Sequence, residues 1–225
     1  MHVGQTEEAH DLSTGRKVAS IAFTGAAAAA TVGYGMAPAL AATKHWHIHN
    51  GTANYHGVVK GNNKGTTKLV DTTHAVTLTC KKASVSGSVP KSSVVAGTST
   101  KLGPLKKANF NSCSFVGVTF KAKLNKAAGI FAHSYAGGVT HGNIKSISAE
   151  LSGVNLPACK AKVTGTLPAV FKNASHTFVV DSKAVAALTI KSATAQCPVI
   201  KAGDKAYFQG TFPVTTPAAL NVSEK

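Results

Sequence analysis

The chain has 225 residues, 44% of them hydrophobic, with 24 Lys and Arg against 8 Asp and Glu and a net charge of +16 when histidines are neutral. From residue 42 onward it carries 22 lysines, no arginine and five carboxylates. Without arginine's planar fork and with few aromatics, sequence-specific nucleic-acid recognition is not expected. Five carboxylates also leave little material for paired acid and base chemistry.

The first 41 residues read as a targeting segment. Arg16 and Lys17 precede an Ala-rich, weakly apolar run that ends in Ala39-Leu40-Ala41, a small-residue site that places cleavage after Ala41. Residues 42–65 form a His- and Gly-rich extension, and 66–225 a single β-domain. Short alternating runs are expected as strands at Thr66–Val70, Ala75–Val89, Val116–Leu124, Ile130–Ala136 and Ile144–Leu151. Further strands follow at Cys159–Leu167, His176–Asp181 and Ala187–Ile190, then a hairpin over Cys197–Val214 turning at Gly203-Asp204. Almost nothing in the mature chain has helical periodicity. The fold class is therefore all-β, a disulfide-linked sandwich or barrel of about ten short antiparallel strands.

Two stretches echo each other. CKKASVSGSVP begins at Cys80 and CKAKVTGTLP begins at Cys159; LKKANFNSC ends at Cys113 and IKSATAQC ends at Cys197. Two cysteine-bounded halves of one core are implied. Four cysteines allow three connectivities, and the repeat favours Cys80 with Cys113 and Cys159 with Cys197, because each bridge then closes the same piece of topology. An even cysteine count after the cleavage site suits an oxidising extracellular compartment.

The echo is imperfect in one respect. In the second half, Cys159, Ala161, Val163, Gly165 and Leu167 share a face without interruption. In the first, Val76, Leu78 and Cys80 are one residue out of phase with Ala83, Val85, Gly87 and Val89. A β-bulge at Lys81 or Lys82 would bury both sets, with Leu78 and Val85 inside.

His45, His47 and His49 alternate with Trp46 and Ile48, so on a strand the three imidazoles share a face, a pattern able to hold Zn²⁺ or Cu²⁺. His56 and His74 are possible additions. No catalytic motif and no cofactor emerges: Ser88-Val89-Pro90-Lys91 matches S-x-x-K, but on a strand end rather than a helix.

The segments VTLTC ending at Cys80, FNSCSF around Cys113, CKAKVTGTLP from Cys159 and CPVIKAGDKAYFQGTFPV from Cys197 resemble a set of secreted actinobacterial β-rich proteins of unknown function. More loosely, the layout resembles the secreted protein activator of alkane oxidation group. The first resemblance implies a secreted, disulfide-linked β-protein; the second implies an extracellular role at an apolar interface. The lysine excess adds the expectation of a non-catalytic protein at the cell surface or in the medium, binding polyanionic or amphipathic material such as an anionic cell-wall polymer or lipid surface. The alternatives are a small-molecule or metal carrier and, third, a hydrolase.

Overall fold

The structure is a computed structural model and describes residues 42–197 and 200–225. The targeting segment lies outside the described residues. β1 (His45–Asn50), β2 (Ala53–Asn54) and β3 (Gly57–Asn62) come first, then β4 (Thr67–Asp71), β5 (Val76–Val89), β6 (Ser93–Val95) and β7 (Thr100–Phe115). β8 (Val118–Leu124), β9 (Ala128–Ala136) and β10 (Val139–Gly153) follow, then β11 (Lys160–Lys172), β12 (Thr177–Asp181), β13 (Leu188–Ala193), β14 (Lys205–Thr216) and β15 (Leu220–Glu224).

The pairings close on themselves, so the sheet is a barrel. Five long strands of 12 to 16 residues, β5, β7, β10, β11 and β14, run its full height. Short strands fill the gaps between them at two levels. At the lower level the antiparallel ring runs β5-β7-β8-β10-β11-β13-β14-β4 and returns to β5. At the upper level it runs β5-β7-β9-β10-β11-β12-β14-β3. Both rings have eight positions, a size at which a barrel is filled by its own side chains or holds one small ligand. Closure also leaves the wall no free edge.

Fewer and shorter strands were expected because phase slips look like strand ends in a sequence. In this barrel they are bends within continuous strands. β5 buries Val76, Leu78 and Cys80, exposes both Lys81 and Lys82, and then buries Ala83 and Gly87 with Val85 half-buried. The slip falls where the alternation requires it, but it is built into both partners. Cys80 pairs with Cys113 and Lys82 with Asn111, while Lys81 and Ser112 between them stay unpaired, Ser112 at φ 50°. Because both strands gain a residue together, their mutual register is kept, and the shift appears instead between β7 and β8. Asn63 repairs the other side of the slip: its side-chain amide donates to the Lys81 carbonyl at 3.0 Å and its oxygen accepts from the Ala83 N–H at 2.7 Å.

β11 alternates regularly, as its sequence requires, and its neighbours carry the irregularities, β10 between Ile144 and Ile147 and β13 opposite Lys162–Val163. The repeated glycine does the same work in each half. A Cβ on Gly87 would lie 2.6 Å from the Pro104 carbonyl oxygen, and one on Gly165 would lie 2.3 Å from that of Ala187, so only glycine permits the close strand approach at these shifts. The repeated proline differs. β5 ends before Pro90, but β11 continues through Pro168, which falls where β13 has stopped pairing and β12 has not yet begun. There a missing N–H costs no ladder bond on that side.

Both disulfides, Cys80–Cys113 and Cys159–Cys197, are present, and no cysteine is free. They staple the lower half. Residues 42–65, expected as an extension, are instead part of the fold: β3 is a barrel stave, and β1 is the centre of a separate four-stranded sheet with β15, β2 and β6. Trp46 and Ile48 are fully buried there. That pairing joins the two ends of the described chain, which no local pattern reveals.

Candidate functional site

The barrel's interior is where the staves' inward residues meet, and they do not fill it. An upper cavity of about 110 Å³ and a lower one of about 100 Å³ lie one above the other. Val85, Leu105, Phe178 and Phe212 line both and form a belt between them. Every residue lining the lower cavity is apolar, among them Leu78, Phe110, Ile144, Leu151, Leu188 and Phe208. The upper cavity is bounded by Leu102, Phe171 and Val214 from the wall, and its ceiling is Ile48, Leu220 and Val222 from the small sheet. Hydrophobic voids of roughly 150 Å³ in proteins stay dry and take up small apolar molecules such as benzene; each of these two is somewhat smaller than that.

The small sheet is a cap over the upper mouth. Its inner face packs Trp46, Ile48, Leu220 and Val222 against Leu102, Ala132 and Phe171. Polar clamps fix it to the rim. Asn173 accepts from the Val222 N–H at 2.9 Å and donates to the Val222 carbonyl at 2.9 Å. Thr140 donates to the same carbonyl at 3.1 Å, and the Nδ1–H of His176 donates to the Leu220 carbonyl at 2.8 Å. No disulfide reaches the cap.

The cap's outer face carries the histidine row. His45, His47 and His49 lie side by side, with ring centroids 6.2 and 5.8 Å apart, and the last two rings are stacked. Alternation put them on one face, as expected. It also spaced them along a line, and stacked rings aim their nitrogen lone pairs in parallel rather than at a common point. The Nδ1 of His49 is buried without a hydrogen-bond partner. Burial, then the neighbouring His47 and Lys225, hold its pKa below the usual imidazole value. His56 is exposed and belongs to no metal-ligand cluster among the described residues.

Among the described residues, the ligand atoms that do converge belong to Asp71, His74 and Asp204, all within 4.8 Å of one another at the lower end. The His74 Nδ1 lies 3.4 Å from Asp71 Oδ2 and 3.2 Å from Asp204 Oδ2. Asp71 Oδ1 also accepts from the N–H groups of Thr73 and His74, and Asp204 from that of Lys201 at 2.8 Å. Burial pushes the Asp204 carboxyl up, but the Lys201 N–H, Asp71 and His74 together outweigh it and leave the pKa below its ordinary value. The trio ties the β4–β5 turn to the β13–β14 turn. Asp71 caps a visible turn signal, but nothing local announces that Asp204 is its neighbour.

No protein-family model, curated protein or solved structure matches this chain.

Proposed function

We propose that this protein is a non-catalytic extracellular carrier that holds a small apolar molecule inside its barrel. The observation that carries the reading is the pair of stacked apolar cavities in a closed wall, roofed by a sheet that no disulfide secures. An interior lined mainly by apolar side chains, whose one charged lining residue, Lys60, is exposed to solvent, selects by shape and hydrophobicity. Two disulfides in a described chain without a free cysteine support an oxidising, extracellular setting. Among the described residues no helix is long and apolar enough to cross a membrane.

The test is titration of the purified protein with the fluorescent apolar probe N-phenyl-1-naphthylamine. Saturable binding is expected, lost when Leu105→Trp fills the belt while the disulfides and far-UV spectrum remain intact. A folded wild-type protein that neither binds the probe nor releases an apolar compound on solvent extraction would sink the reading.

A further inference from the structure

Exposed lysines stand on most strands of the outer wall, and across three adjacent strands the register fixes their spacing. β8 presents Lys121 and Lys123 to solvent, and β11 presents Lys160 and Lys162. β10 lies between them, and the register aligns the three strands. Lys123 is opposite Glu150, which is opposite Lys162; Lys121 is opposite Ser152, which is opposite Lys160. Four ammonium groups therefore mark a rectangle, with stems about 7 Å apart along each strand and about 10 Å apart across β10. Beyond β11, the bulge in β13 leaves Lys191 exposed as well.

Glu150 is the one carboxylate in this face, and it accepts from the Ser152 hydroxyl at 3.2 Å. None of the four lysines has an ion-pair partner; among the described residues the one lysine ion pair is Lys44 with Glu224. The face thus carries a net +3, and repulsion keeps its ammonium groups apart. Separated charges on the convex outer wall of a barrel do not converge on one small anion. They match a partner whose own charges are spread along a line. Lysine binds phosphate as a point charge without needing the bidentate fork of arginine, which the described chain lacks, and a linear phosphate polymer presents such charges at regular intervals.

We propose that the β8–β10–β11 face is a docking surface for a linear phosphate polymer, held by Lys121, Lys123, Lys160 and Lys162. This surface is independent of the cavity, and the two can fail separately. Binding is electrostatic and weakens with salt, each phosphate contact contributing about −0.7 to the log–log salt slope for a single-stranded polyanion.

The experiment measures affinity for inorganic polyphosphate between 20 and 200 mM salt. Replacing all four lysines by glutamine is expected to flatten the slope by about 3 and to reduce low-salt affinity at least tenfold. The charge-matched control, Gln at Lys101, Lys126, Lys172 and Lys183, is expected to change it less than threefold. Glu150→Gln is expected to raise affinity severalfold, a gain that misfolding cannot mimic. Equal losses from the two quadruple variants would show that only net charge matters, and no gain from Glu150→Gln would show that this face makes no contact with the polymer; either result would overturn the proposal. Equal binding of polyglutamate, or binding of anionic vesicles without binding of polyphosphate, would overturn it too.

Discussion

The two ends of the barrel are closed by different physics. At the lower end, two disulfides, the Asp71–His74–Asp204 cluster, the half-buried Leu156 and the buried Ile200 seal the mouth. At the upper end, a small sheet is held by apolar contact and a few rim hydrogen bonds. Polar satisfaction differs in the same sense. Trp46 Nε1 and His49 Nδ1 are buried without partners in the cap, while the lower ring has a single such orphan, Thr67 Oγ1. Each unmade bond of this kind costs about 1–3 kcal/mol. A disulfide-stapled base under a roof without disulfides means that opening begins at the roof, which is where the proposed interior ligand would enter. Trp46 is the chain's sole tryptophan and sits in that roof, so its fluorescence reports the cap separately from the barrel.

The largest effect is expected where the two halves meet. Phe212 is 2% exposed and lines both cavities, so Phe212→Ala should cost about 3–5 kcal/mol and lower the melting temperature followed by Trp46 fluorescence and by far-UV circular dichroism together. A fall in one signal alone would mean the belt does not couple the halves. Next is the base. Replacing Cys80 and Cys113 by alanine should cost about 2–4 kcal/mol in global stability while leaving cap hydrogen exchange, normalised to the remaining stability, unchanged. Equal exposure of cap and base amides would break the comparison.

The cap is then addressed directly. Asn173→Ala removes two hydrogen bonds to Val222 and should cost about 1–3 kcal/mol, read as a Trp46 transition that precedes the backbone transition in urea. Coincident transitions would show that cap and barrel are one cooperative unit. The smallest effect is protonic. The folded state holds the His49 pKa below its unfolded value, so the folded state resists protonation. Its contribution is complete above the unfolded pKa of about 6.5 and is lost as pH falls through the lower folded value. Acidification should therefore loosen the cap first, with His49→Asn flattening the pH dependence of Trp46 fluorescence. An unchanged profile in that variant would assign the loosening to another group.

Much of the wall was legible because strand alternation is a local property. The face containing Cys159, Ala161, Val163 and Leu167 and the slip at Lys81–Lys82 both follow from which side of a pleat each residue must take. The cysteine pairing followed from the repeat, whose glycines turn out to permit the same close approach in both halves. The reading of residues 42–65 as an extension failed for the opposite reason. Those residues look polar and Gly-broken until β15, more than 150 positions away, supplies the partner for β1.

By itself, then, the sequence determined the all-β class, both disulfides, the shared face of His45, His47 and His49 and the position of the paired slip. Each of these depends on neighbours along the chain or on an internal repeat. Only the tertiary structure decided that the sheet closes, that its interior is left partly empty, that Asp71 and Asp204 share His74, and that four lysines from β8 and β11 flank one strand. Those depend on registers between distant strands, and a register is set by how all the staves fit around a common axis rather than by any stretch of residues.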